Sequence, residues 1–475
     1  MNRMIQLKQT TPVFLLVLLL CFGVLQGVQA VVPPPDGGYP GFNTAEGQNA
    51  LFNLTTGAGN TAVGWFSLKN VTTGSFNTGV GAGTLLLNTG DANTATGTAA
   101  LLFNSAGINN TAVGAAALLS NTIAEANTAT GAFALSSNTE GGFNTAIGAT
   151  PLFSNTTGEA NTANGYRALN RNTIGNNNTA NGVSALAGNT TGNGNTANGV
   201  LALFTNTIGV SNTTNGVLAL FDNSSGDNNT ATGYQALASN TTGGLNTATG
   251  VNALQLNTTG TFNTATGLLA LQNNTTGESS TATGTFALQN NTEGDHNTAI
   301  GFGALFDNTT GANNTGLGRE AGGGITEGTD NVCMGAFSGS AITTGTNIIT
   351  IGPVTGVHSI FGQVDNRTYI ANILGSSVDS ATADPVYVDA DGRLGTILAA
   401  AGPERSVPRP TIPKGARRQG MSDDAKQAML NRKVEALEAT VAQQQEQIQA
   451  LTSGLQKVNA QLDARKPAPQ VVNNP

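Results

Sequence analysis

The sequence predicts a mainly β protein: a parallel β-solenoid, or β-roll, of 17-residue coils, then a β cap, then a C-terminal α-helical coiled coil. Three observations predict it. A unit N-T-A-x-G-x-x-A-L-x-x-N-T-T-G-x-x recurs, its leading Asn falling at Asn43, Asn60, Asn77, Asn93 and onward to Asn331, with Ser280 as the one replacement. Charged residues make up 10% of the chain, against roughly 25% in ordinary globular domains. An apolar heptad occupies the last part of the chain. A fixed period of this size marks a solenoid, in which no unit buries its apolar residues alone and stacking supplies the core.

Taken in order, residues 1–30 read as a secretory signal peptide. Arg3 and Lys8 precede an apolar run from Val13 to Leu25, and the small residues ending at Ala30 offer a cleavage site. The run is short for a membrane span, although an uncleaved anchor is the alternative. Cleavage removes Cys21 and leaves Cys333 alone, so no intrachain disulfide is expected in the mature chain. Residues 31–42 form a Pro/Gly leader whose Tyr39 and Phe42 are placed to cover the first coil.

Residues 43–345 carry the repeat. Thr-Ala-x-Gly has strand character, with Ala on one face, Thr and x on the other, and Gly ending the run. The second half, as in Phe286-Ala287-Leu288-Gln289-Asn290, favours a short helical turn or a bent strand, because adjacent Ala and Leu cannot both face inward from a flat strand. Pro151, at an Ala position, suits the start of a turn. The recurring Asn has two readings that call for the same residue: an inward ladder of amides paired along the stack, or a backbone held at positive φ. About eighteen coils would give a rod of roughly 85 Å.

Residues 346–398, with Thr346 to Ile351, Thr368 to Ile373 and Pro385 to Val388, turn β-branched and read as a β-rich cap or neck. Residues 399–421 form a Pro/Arg linker. Residues 422–466 then hold the heptad: Val434, Val441, Ile448, Leu455 and Leu462 at one seam position, Leu430, Leu437, Gln444, Leu451 and Val458 at the other. These ten positions are the candidate trimerisation residues. A helix packing on its own domain is the alternative. Pro467 and Pro469 end the helix, and 467–475 is a disordered tail.

Little in the sequence points to catalysis, so the reading is not an enzyme, with no cofactor and no metal. His296 and His358 lie in unlike contexts without ligand spacing and read as solvent or turn residues. Asp389-Ala390-Asp391-Gly392 imitates the start of a calcium loop but lacks its later ligands, and suits a tight turn between strands. Sequons such as Asn189-Thr190-Thr191 follow from the repeat itself. A net charge of −8 argues against nucleic acid as partner. One surface offers a ligand hypothesis: Thr94 and Thr96, Thr128 and Thr130, Thr247 and Thr249, and Thr264 and Thr266 would align in ladders, a face similar to that of solenoid ice-binding proteins. Packing against a neighbouring chain is the competing reading of that face.

The repeated Asn144-Thr145-Ala146-Ile147-Gly148 and Asn110-Thr111-Ala112-Val113-Gly114 resemble the head repeats of trimeric autotransporter adhesins. The whole unit, with Ala-Leu and Asn-Thr-Thr-Gly, is similar to repeats of secreted bacterial fibre proteins that end in an endosialidase-type intramolecular chaperone. Thr368 to Ile373 and Asp391 to Thr396 resemble the segment before that chaperone. Neither membrane-barrel strands nor a self-cleaving chaperone is read beyond Thr396. The resemblance implies an exported fibre-like body, secreted or at the cell surface, in which three chains lie side by side. It implies adhesion to a host cell, matrix or polysaccharide surface. A glycan- or ice-binding solenoid using its Thr and Asn ladders is the alternative.

Overall fold

Successive Thr-Ala-x segments stack in one parallel sheet of 20 strands, running from Thr44–Glu46 to Arg367–Ile370. The computed structural model describes residues 40–357, 359 and 361–371, and the backbone of strands Val386–Val388 and Leu394–Thr396. The signal peptide, residues 31–39, His358, the linker, the heptad and the tail lie outside the described residues. Phe42 is 95% exposed, so it does not cover the first coil as expected.

The register is one coil per rung. Thr196 stands between Thr179 and Thr213, and Ala197 between Ala180 and Thr214. At about 4.8 Å per rung, the sheet extends over roughly 90 Å. Within the three-residue strands from Thr61–Val63 to Val332–Met334 the middle residue is buried and its neighbours face outward, as in Thr162–Asn164. Ala163 in that strand has no exposed surface. The ladder also continues past residue 345: Ile348–Ile351 pairs in parallel with Val332–Met334, and Arg367–Ile370 with Ile348–Ile351. The first part of the expected cap therefore stacks as further coils. Val386–Val388 and Leu394–Thr396, in a second compact unit beginning at Val378, pair antiparallel, while Asp389 to Gly392 lie outside the described residues.

The second half of the coil is not helical among the described residues, which corrects the expected helical turn. It is a run of turns in which the residue before Ala and the Leu after it both have positive φ, as at Arg167 (57°) and Leu169 (50°). This geometry sends successive amides in opposite directions along the stack. Arg167 donates back to Ala149 at 3.1 Å, and Leu169 donates forward to Ala185 at 3.0 Å. Neighbouring coils thus take the amides that a helix would have kept to itself. The bend also resolves the Ala-Leu conflict, since Ala168 and Leu169 are both fully buried. A left-handed Leu costs about 1–2 kcal/mol, and burying its side chain returns roughly 1.5–3 kcal/mol. Pro151 fits here at small cost. Equivalent Ala residues make a poor bond through that amide, Ala168 to Gly165 at 3.4 Å, while the Pro151 carbonyl still accepts from Leu135 at 3.1 Å.

The leading Asn residues form the inward ladder and are absent from the positive-φ positions, which decides between the two readings. Asn178 donates its backbone N–H to Asn161 Oδ1 at 3.0 Å and its Nδ2 to the Gly192 carbonyl at 2.8 Å. A second Asn column lies eleven residues further on. Asn189 donates Nδ2 to Asn172 Oδ1 at 2.7 Å and to the same Gly192 carbonyl at 3.0 Å. One carbonyl per coil thereby gathers both amides and closes the coil on itself. Ser280 keeps part of this role, its Oγ accepting from the Asn297 backbone N–H at 3.1 Å. The second column runs from Asn88 to Asn308, and aliphatic residues take its place at Val71 before it and at Ile325 and Ile342 after it.

Candidate functional site

The outward columns of the sheet form the candidate site. Each strand presents its first and third residues to solvent, about 6.7 Å apart along the strand and about 4.8 Å from their equivalents on the next rung. Among the eight predicted Thr residues, Thr96, Thr128, Thr130, Thr247, Thr249 and Thr266 are exposed and Thr94 and Thr264 half-buried. Stacking does not make one array of them. Val113 stands between Thr96 and Thr130, so the pairs at Thr94 and Thr128 are separated. Thr247, Thr249, Thr264 and Thr266 are instead flanked by Thr230 and Thr232 on one side and Thr281 and Thr283 on the other. Four consecutive rungs there carry Thr at both outward positions.

The third-residue column changes character along the stack. Val63, Val80, Val113 and Ile147 alternate with Thr96 and Thr130 on the early rungs, then come Asn164, Asn181, Asn198 and Asn215, then the Thr block, then Ile300, Leu317, Met334 and Ile351. The aliphatic members are each about two-fifths exposed, Ile300 at 42% for example. Asn181 donates to Asn198 Oδ1 at 2.8 Å, continuing the ladder on the outside. A neighbouring column just past the Gly compensates. Where the sheet column is polar it is apolar over seven successive coils, Tyr166, Val183, Val200, Val217, Tyr234, Val251 and Leu268, all exposed. From Thr61 to Ile351 neither outward strand column contains a charged residue. These features are legible once the sequence is written in rows of one coil.

Electrostatics are sparse elsewhere as well. Among the described residues the ion pair is Arg319 with Glu320, at 3.2 Å. Burial raises the Cys333 thiol above its ordinary value, opposed by a hydrogen bond with Thr350, and burial also raises the Asp222 carboxyl. No group of three or more potential metal ligands occurs among the described residues. His296 is an exposed turn residue with φ of 57°. Asn189 of the quoted sequon is fully buried with its amide engaged twice, so the folded coil does not offer it for modification. The ten heptad positions, Leu430 to Leu462, lie outside the described residues.

No family model, curated protein or solved structure matches the chain.

Proposed function

We propose that the chain is an exported, non-enzymatic structural or adhesive fibre protein, whose solenoids lie side by side and present repetitive surface to a cell, matrix or polysaccharide. The observation that carries this reading is the long uncharged sheet face. Val, Ile, Leu and Met left about two-fifths exposed at both ends of the third-residue column, joined by the exposed apolar column from Tyr166 to Leu268, are the pattern of a surface that another copy covers. The heptad from Leu430 to Leu462 would hold copies in register, three being the number that the family resemblance implies. The test is the molar mass of residues 31–475 by light scattering, beside a chain stopped at Ile397. A trimer that falls apart on truncation supports the reading, and two folded monomers refute it. Surface contact is tested by binding of the intact protein to cells and to extracted polysaccharide.

A second reading, recognition of ice or glycan by the outward ladders, is favoured by the contiguous Thr block from Thr230 to Thr283. Thermal hysteresis at micromolar protein, lost on changing Thr249 and Thr266 to Lys, would support it. Normal ice growth would remove its ice branch.

A further inference from the structure

A notch interrupts the surface of the coils that begin at Ser280, Asn297, Asn314 and Asn331. It encloses about 520 Å3 and is walled by Phe286, Phe302, Phe306 and Phe337. Small-molecule sites typically occupy about 300–1,000 Å3 and are mostly apolar with a few placed polar groups. Two departures from the repeat create it. The column that holds Phe286 and Phe337 has Gly303 between them, and the column that holds Gln289 and Phe306 continues with Gly323.

The rim is rich in acceptors. Asp307 and Glu320 line it, and a carboxylate only accepts. Gln289 ends an outer Gln column: it donates to Gln272 at 2.9 Å, as Gln272 does to Gln255, which leaves its own Oε1 at the notch. Two of the wall rings already carry a cation, Arg319, which does not itself line the notch. Arg319 lies 5.0 Å from the Phe337 ring centroid and 6.0 Å from that of Phe302, and its Nε donates to Glu320 at 3.2 Å. The ring electrons of Phe302 and Phe337 are therefore already drawn towards a guanidinium, which weakens their pull on a second cation.

We propose that the notch binds a neutral hexose-type sugar ring of a polysaccharide. The C–H face of the ring lies against the Phe side chains, and its hydroxyls donate to Asp307, Glu320 and Gln289. A polyol supplies many donors and no charge, which matches an acceptor-rich aromatic site two of whose rings already carry a cation. The proposal deepens the adhesive reading by naming a ligand class and a place, and it is independent of the oligomeric state.

The test is affinity electrophoresis of the full chain through native gels containing a soluble β-glucan, a galactomannan or a xylan. Gly303→Phe fills the notch with the residue that the equivalent position carries at Phe286, and the backbone suits it, φ being 60° at Gly303 and 62° at Phe286. An added Cβ meets just the movable Glu320 Cγ, at 3.3 Å. The unmodified chain should be retarded in at least one gel, and Gly303→Phe should migrate as in plain gel with its thermal unfolding unchanged. Phe306→Ala should weaken retardation roughly threefold to tenfold. Phe306→Ala and Asp307→Asn read the same loss should Gly303→Phe fail to fold. No retardation in any gel, or retardation undiminished in these variants, overturns the proposal, as does calorimetric binding of tetramethylammonium in preference to the polysaccharides. Where the gels overturn the notch, binding of the intact chain to cells would still leave the adhesive reading standing.

Discussion

Inward and outward columns of the same coil follow different rules. Inside, one Ala, one Ala-Leu pair and two Asn recur with few exceptions; some keep the original role, as Ser280 does for Asn and Cys333 for Ala, while buried aliphatic residues replace the second Asn towards the ends, at Val71, Ile325 and Ile342. Outside, one column passes from Val to Asn to Thr to Ile within a single sheet. The interior is constrained because each atom there has its equivalent as a neighbour one rung away. The exterior also has its equivalents one rung away, but it faces solvent on its other side and need not fill a closed space, so its drift is where different stretches of the array can differ in what they meet.

The comparison can be broken most sharply at Gly199. A Cβ there would stand 2.5 Å from the Gly216 carbonyl oxygen, with φ at 133°. Gly199→Ala should cost more than about 4 kcal/mol, read as a collapse of the urea midpoint. Leu203→Ala empties a fully buried site and should cost about 2–5 kcal/mol by the same measurement. Asn195→Ala deprives the Asn212 N–H of its acceptor and the Gly209 carbonyl of one donor. A loss of roughly 2–3 kcal/mol is expected, falling to about 1 kcal/mol for Asn195→Ser, because Ser280 shows that a hydroxyl can still accept.

Smaller effects sharpen the contrast. Cys333 stands at the inward Ala position, and its raised thiol value means that the folded chain holds this proton more firmly than the unfolded one. Its contribution to stability is full below the ordinary value of 9.0 and is lost as pH rises past it. Cys333→Ala should leave the melting temperature at pH 7 nearly unchanged and flatten its fall above pH 9, checked by calorimetry across that range. On the outside, Val200→Lys should change monomer stability by no more than about 0.5 kcal/mol. It should nonetheless lower the molar mass in light scattering if this column meets another copy.

The period made most of the inside legible. It located the strand, the buried Ala and Leu and the closing Gly, because identical spacing implies identical environments. The second half of the coil is not legible in this way, since Ala, Leu and Gln have helical preference in isolation while the Leu amide bonds to the next coil. The Asn question could not be decided locally either, because ladder and positive φ ask for the same side chain. Of the outer surface, single Thr-x-Thr triplets were visible, but the block from Thr230 to Thr283 emerges once rungs are aligned. The notch was hidden for a further reason: its walls come from four coils, and the glycines that open it resemble any others in a chain holding 63.

The shared carbonyl at the end of each coil has a mechanical corollary. Because Gly192 fastens both amides of its own turn, a turn can open or shut as a unit, and the turns above and below present matching surfaces to whatever adjoins them. Pulled along its length, such an array should yield in equal steps of one turn, a sawtooth in force spectroscopy with a spacing of about 17 residues. Load would then be shed piecemeal, and each released turn would find its old seat intact when the tension drops.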